Sequence, residues 1–445
     1  MTLAAAACAP AEPPVAEPPA LTAPNPETEL AKLLAAGPEV TVAGQRLNID
    51  RLRSFYARHG FAPVWTTRQV DATVLMEAVF RAGDHGLDPE LFHAAALRAS
   101  DALPPLQRDL LLSDAFLAYT AALARGAVPV ERRRNDETLT PGPIDVVAEF
   151  DAALASRDPA RAIEALAPAT PTYRLLRQAL RELPTDKPGG RGVSKPAAGG
   201  ADTARRQAIL VNLERERWLP RRLPADRIWV NVPDQRLTMY RDDRSAFSTK
   251  VIIGQSERRN QTPELQVPID AIWFNPPWTI PTDIAERAYL PKIQADPNYL
   301  ARNNLIRLPD GALQQRVGPY SGLGSLLFDM NNRFDVYLHD TPAKELFKRD
   351  DRRISHGCVR VEDPKKLAAL VMELSGEEID RRIATRVTVR TPVPKPVPVF
   401  LVYQTAFADS DGKLQFRPDI YERDAKIRDA LAPRRQAVAE RFGLF

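Results

Sequence analysis

"RIWVNVPDQRLTMYRDDRSAFSTKVIIG", residues 227–254, marks where the chain changes its period. Ile228, Val230 and Val232 alternate with other neighbours, and Leu237 and Met239 do the same after a Pro-Asp-Gln turn. A run rich in β-branched and aromatic residues, broken by such turns, predicts short strands. On its N-terminal side the apolar spacing is three to four, the spacing of helices. "ETELAKLLAAG" (27–37), "NIDRLRSFYARHGFAPVW" (48–65), "PPLQRDLLLSDAFLAYTAALARGAV" (104–128) and "DPARAIEALAPATPTYRLLRQALREL" (158–183) all read this way. Ser113 and Asp114 fall inside the third of these and are expected to be exposed or to cap.

These patterns divide the chain. Residues 1–27 read as a leader and 28–182 as an all-α unit. Residues 183–204 read as a Gly/Pro/Ala/Lys linker that can hold no core. Residues 205–403 are expected to be mainly β with a helical insertion over about 282–330, and 404–445 to add a hairpin and a helix packed upon them. The fold class expected is α+β. Within the β part, "DPKKLAALVMELSG" (363–376) predicts a helix opened by Asp363 and Pro364 and stopped by Gly376.

Composition narrows the function. At 445 residues and 44% hydrophobic, the chain has ample material for more than one core. Bases (61) nearly balance acids (57), and no Lys/Arg block resembles a nucleic-acid arm, so nucleic acid is not an expected partner. Two distant cysteines exclude a disulfide framework and a cysteine zinc finger. No apolar run reaches about 18 residues, so no membrane-spanning helix is expected. The start, "MTLAAAACAP", sets a small apolar stretch and Cys8 before a Pro/Ala/Glu tether. That order resembles the end of a lipoprotein signal, although it lacks a basic n-region. Export and a lipid anchor at Cys8 are the corresponding expectations.

The interior cysteine lies in "ISHGCVRVEDP", residues 354–364. A thiol becomes a nucleophile when a neighbouring base or cation favours its anion. The chain has five histidines, and two of them, His339 and His356, lie within nineteen residues of Cys358. If "FDVYLH" and "ISHGCVRV" are adjoining strands, His339 comes beside Cys358. Gly357 permits a bend that aims backbone N–H groups at an oxyanion. Arg360, at the same strand parity, can favour the thiolate or bind a carboxylate. The plainer alternatives are a packing cysteine, a structural histidine and a solvated arginine. Cysteine with two nearby histidines outweighs them. A metal site is not expected, because His356 and Cys358 are too close and no further ligand set is apparent.

"YLHDTPAKELFKRDDRRISHGCVRVEDP" (337–364) resembles the signature of the L,D-transpeptidase (YkuD-type) catalytic domain. The matching residues are His339, Ser355, His356, Gly357, Cys358 and Arg360. "FYARHGFAPVW", "DHGLDPELFHAAAL", "VNVPDQRLTMY" and "NPPWTIP" resemble the periplasmic subfamily with a helical scaffold domain. Members commonly add a small peptidoglycan-binding domain, for which the linker before Arg205 leaves no room. The resemblance implies a peptidoglycan acyl transfer. Cys358 would attack the stem peptide and form a thioester. His339 would act as base, oriented by the Asp340 carbonyl, while the N–H groups of Gly357 and Cys358 form an oxyanion hole assisted by Tyr337. His356 would belong to the catalytic group. Arg360, Tyr337, Ser355, Asp340 and Trp278 would contact substrate, with Trp278 and Tyr289 opening a cap. No cofactor is implied. The partner is the peptidoglycan stem peptide in the periplasm, and a penicillin-binding protein or glycan polymerase partner is left open. Rival readings are an L,D-carboxypeptidase, a silent wall-binding scaffold protein and an unrelated cysteine peptidase.

Overall fold

The computed structural model describes residues 28–35, 37–183, 200–318 and 320–432. The expected leader with Cys8 and most of the expected linker lie outside them. Contacts divide the chain into two units: residues up to 80 with 92–120 and 145–160, and residues 81–91 with 121–144 and all from 161 onward. The scheme is α+β, a helical N-terminal region followed by a mainly β domain.

The first unit holds Ile49–Arg58, Gln69–Phe80 and, up to Thr120, most of the helix Pro105–Arg125. Its centre is polar as well as apolar. The Tyr56 hydroxyl donates to Asp109 at 2.6 Å, and the Trp65 indole donates to Ser113 at 2.8 Å. Asp114 accepts from the Asn48 N–H at 2.9 Å and pairs with His93 at 2.8 Å. Ser113 and Asp114 are therefore buried, not exposed or capping. Helical periodicity does not reveal that indole, hydroxyl and imidazole donors arrive from elsewhere to satisfy them.

The second unit is built on nine strands: β1 (Arg227–Asn231), β2 (Arg236–Arg241), β3 (Arg244–Gly254), β4 (Leu265–Phe274), β5 (Leu326–Asp329), β6 (Leu338–His339), β7 (Arg353–Ser355), β8 (Val359–Val361) and β9 (Val389–Val402). Their order is β7-β3-β8-β6-β5-β4-β9-β1-β2, and β2 also pairs with β3, so the ladder closes on itself. Alternation sends Ile228, Val230, Leu237, Met239, Leu338, Val359 and Val361 into one core. Each such side chain contributes about 1.5–3 kcal/mol when buried. The helix Pro364–Met372, capped by Asp363, covers this core with Leu367 and Val371.

Several boundaries differ from the sequence expectation. The helix Pro171–Glu182 belongs to the second unit, because Tyr173, Leu176 and Leu180 pack on Ile209 and Leu213 of Gly200–Glu216. That second helix begins before the expected linker end at 204. The C-terminal hairpin, Ala406–Ala408 with Leu414–Phe416, joins these two helices through Ala406, Leu414 and Phe416. Gly376 does not stop the 364 helix. Glu373 ends it with φ 56°, and Gly376 opens the next helix behind the Ser375 cap. The insertion starts earlier than 282 and ends before β5. Its strands Trp278–Thr279, Leu305–Arg307 and Leu313–Gln315 form a separate sheet, whereas Leu326 pairs with Phe274 in the main one.

One buried cation ties the early segment 133–138 to the sheet. Arg423 is fully buried and donates to Asp136 at 2.7 Å, Glu264 at 3.2 Å and the Thr262 carbonyl at 3.1 Å. Removing one partner of a buried pair leaves the other charge uncompensated. Arg423→Ala should therefore lower unfolding stability by about 3–5 kcal/mol, read by denaturant titration.

Candidate active site

The site is set by a parallel pairing. β6 runs beside β8 with Leu338 opposite Val359 and His339 opposite Arg360. The Val359 N–H donates to the Tyr337 carbonyl at 3.0 Å, continuing the ladder toward Cys358. Leu338 and Val359 point into the core. By alternation, Tyr337, His339, Cys358 and Arg360 share the opposite face. His339 thus lies beside Arg360, and Cys358 sits diagonally from it on the same face.

The loop before β8 is held from behind. The Ser355 hydroxyl donates to the Cys358 carbonyl at 2.6 Å and accepts the Gly357 N–H at 3.1 Å. The Thr262 hydroxyl donates to the Gly357 carbonyl and accepts the Gly254 N–H. Gly357 has φ +119°, a conformation that side chains disfavour. At Gly254 the constraint is contact instead, since a Cβ would lie 1.9 Å from the Asn260 carbonyl oxygen. Thr262 and Asn260 were not singled out from sequence, because their roles depend on a loop nearly a hundred residues away.

Ser355 therefore shapes the loop. The Gly357 N–H, expected from sequence to face an oxyanion, is donated to the Ser355 hydroxyl in the resting site. Asp340 is likewise engaged: its carboxylate accepts from the Ser325 N–H at 2.9 Å and the Thr341 N–H at 2.7 Å and pairs with Lys344 at 2.9 Å. That role is local bracing of the segment after His339.

Electrostatically the pair rests uncharged. Burial pulls the His339 imidazole down to about 3, Arg360 pushes the same way, and backbone groups at Asp340 and Leu323 oppose them. Burial raises the Cys358 thiol above its ordinary value, against the Tyr337 N–H and hydroxyl and the Arg360 cation, which favour the anion. The thiol donates to the Asp335 carbonyl at 3.7 Å. Burial also lowers Arg360, whose nearest favourable influences are Cys358 and Tyr289. Its Nε has no hydrogen-bond partner among the described residues.

The insertion lies over this face. Tyr337 is held well above the usual phenol value, chiefly by burial, with the nearby Trp278 indole pulling the other way. The Trp278 ring meets Tyr289 edge-on at 6.2 Å between centroids. His356 is exposed, and its imidazole is lowered by burial, with Asp283 favouring its cation and Arg287, Arg360 and Arg259 opposing it. A cleft of about 300 Å³ on the other side of Gly357 is lined by His356, Arg258, Arg259 and Phe334.

A thiol, an imidazole and an unpaired guanidinium on one sheet face, beneath an insertion, suit acyl transfer through sulfur. Residues 50–180 match the model of a scaffold domain, and residues 225–394 match the YkuD model, an L,D-transpeptidase catalytic domain. The chain carries an L,D-transpeptidase catalytic domain of the YkuD family. A curated protein of Haemophilus influenzae, provisionally described as an L,D-transpeptidase, is 33% identical over 243 residues. That match spans 50% of this chain and about half (49%) of the relative's own length. Among solved structures, the Ldtfm–avibactam carbamoyl enzyme is 13% identical with a TM-score of 0.22, covering 46% of this chain and 63% of that one. The catalytic domain of the E. faecium L,D-transpeptidase acylated by ertapenem is 13% identical with a TM-score of 0.21, covering 41% and 99%. At those scores neither structure bears on the site of this L,D-transpeptidase domain.

The loop's strain yields a test. A Cβ on Gly357 would meet nothing closer than 3.5 Å, so substitution there is opposed by backbone and not by space. Gly357→Ala should cost about 1–3 kcal/mol by unfolding titration, and should slow modification of Cys358.

Proposed function

We propose that the protein is a peptidoglycan L,D-transpeptidase that works through a cysteine acyl-enzyme. Cys358 Sγ attacks the carbonyl carbon of the third residue of a tetrapeptide stem while His339 takes the thiol proton. The tetrahedral oxyanion collapses, the bond to the terminal D-alanine nitrogen breaks, and His339 returns the proton to that amine. The product is a thioester on Cys358. An amine from a second stem then adds to the thioester carbonyl, and the thiol leaves with a proton, closing a cross-link. The observation that carries this reading is the shared face of Cys358 and His339, fixed by the β6–β8 register.

The neutral resting pair suits that sequence of steps. Charge appears on sulfur and imidazole together, and each ion supplies the counter-charge the other lacks. The Cys358 N–H and the Tyr337 hydroxyl are the donors we assign to the oxyanion. Arg360, with its free Nε, is assigned to a substrate carboxylate. Trp278 fixes Tyr337 and helps to exclude water, which favours an amine over hydrolysis as the second step. Transfer to water would make the protein an L,D-carboxypeptidase. Purified enzyme with tetrapeptide muropeptides separates the two: cross-linked dimers support the proposal, and free D-alanine without dimers overturns it. The site of action we propose is the periplasm, after export.

Cys358→Ala should abolish a thioester adduct in intact-protein mass after incubation with tetrapeptide, with its unfolding midpoint unchanged. His339→Ala should slow acylation at least about a hundredfold, the usual contribution of a general base. The pH dependence follows from the imidazole. An ordinary histidine near 6.5 would be mostly protonated at pH 5 and would lose about thirtyfold of its base form. His339, lowered to about 3, stays neutral there. Acylation measured by stopped reaction and mass should therefore show no acid limb between pH 7 and 5.

A further inference from the structure

The outer face of β1 and β2 lines a second cavity, of about 880 Å³. The alternation that buries Ile228, Val230, Leu237 and Met239 turns Trp229, Asn231, Thr238 and Tyr240 into it. The hairpin faces them with Phe407 and Gln415, and Glu216 and Gln404 also line it. None of these residues takes part in the thiol site. The volume falls within the range of about 300–1,000 Å³ typical of ligand sites.

Its chemistry selects among ligands. Arg227 pairs with Asp243 at 2.5 Å and Arg417 with Asp234 at 2.7 Å, while Arg236, Arg244 and Asp409 also line the wall. Burial raises the Glu216 carboxyl to about 7, and it accepts hydrogen bonds from the Thr170 hydroxyl and, at 2.5 Å, from the Gln404 amide. Beside these charged groups lie amides, hydroxyls and a half-exposed indole, Trp229. Trp229 is braced by Phe400, its neighbour across the β1–β9 ladder, at 5.4 Å between ring centroids. A fixed aromatic plate edged by planar amides and hydroxyls matches a ring with apolar C–H faces and a hydroxyl rim. That description is a sugar.

We propose that this trough binds the glycan strand, a polymer of N-acetylated sugars, while the stem peptide reaches the thiol. The proposal rests on the transpeptidase reading. It gives the polymer a hold on the β domain itself, in a chain with no room for a separate binding domain between Glu182 and Arg205.

The test is calorimetric titration of the full chain with a β-1,4-linked N-acetylglucosamine tetramer. Saturable binding is expected, weakened at least tenfold by Trp229→Ala and also by Thr238→Arg. The second change fills the trough from a half-exposed strand position and leaves the core untouched. Acylation of Cys358 by a sugar-free tetrapeptide should be the same in both variants as in the unaltered chain. Absent sugar binding, binding indifferent to both variants, or tighter binding of a sulfated oligosaccharide would each overturn the trough. Acylation failing in every form would instead strike the transpeptidase reading.

Discussion

The site depends on one short parallel pairing, two registered residue pairs long. β6 and β8 meet with His339 opposite Arg360, and the core fixes which face is which, because Leu338 and Val359 are wholly buried. A slip of β8 by one residue would send Cys358 inward and Val359 to the outer face. The register is therefore enforced by the same hydrophobic burial that stabilises the sheet. Stability and placement of the reactive groups are one constraint here, and the Ser355 and Thr262 hydrogen bonds refine it by fixing the loop between them.

Burial then decides the charge state. It lowers an imidazole and raises a thiol, so burial favours the neutral form of both groups. Arg360 and the Tyr337 donors pull the other way at sulfur, without overcoming burial. Under the proposed reaction, such a site would become polar only as the proton passes from sulfur to imidazole. The insertion brings Trp278 close to Tyr337 beside the thiol.

Much of this was legible in the sequence. The change of period at 227, the His-Gly-Cys element and the likelihood of adjoining strands at 337–339 and 358–360 are local signals, and the fold class and the grouping of Tyr337, His339, Cys358 and Arg360 follow from them. Competition for hydrogen bonds was not legible. Nothing local says that Gly357 gives its N–H to Ser355, or that Asp340 braces Ser325 and Lys344. Nor does helical spacing reveal which core a helix joins, as Pro171–Glu182 shows, or that Ser113 and Asp114 will find buried partners. The Ser355 and Lys344 partners are near in sequence yet carry no local signature, while the helix grouping and the buried partners of Ser113 and Asp114 depend on segments that only the finished fold brings together.

The neutral resting thiol is tested most directly by its alkylation rate as a function of pH, read at the Cys358 peptide by mass so that Cys8 does not interfere. The rate should keep rising past the ordinary thiol value near 8.5, with an inflection above it. A plateau already reached below pH 7 would mean a standing thiolate, and would contradict a site kept uncharged by burial.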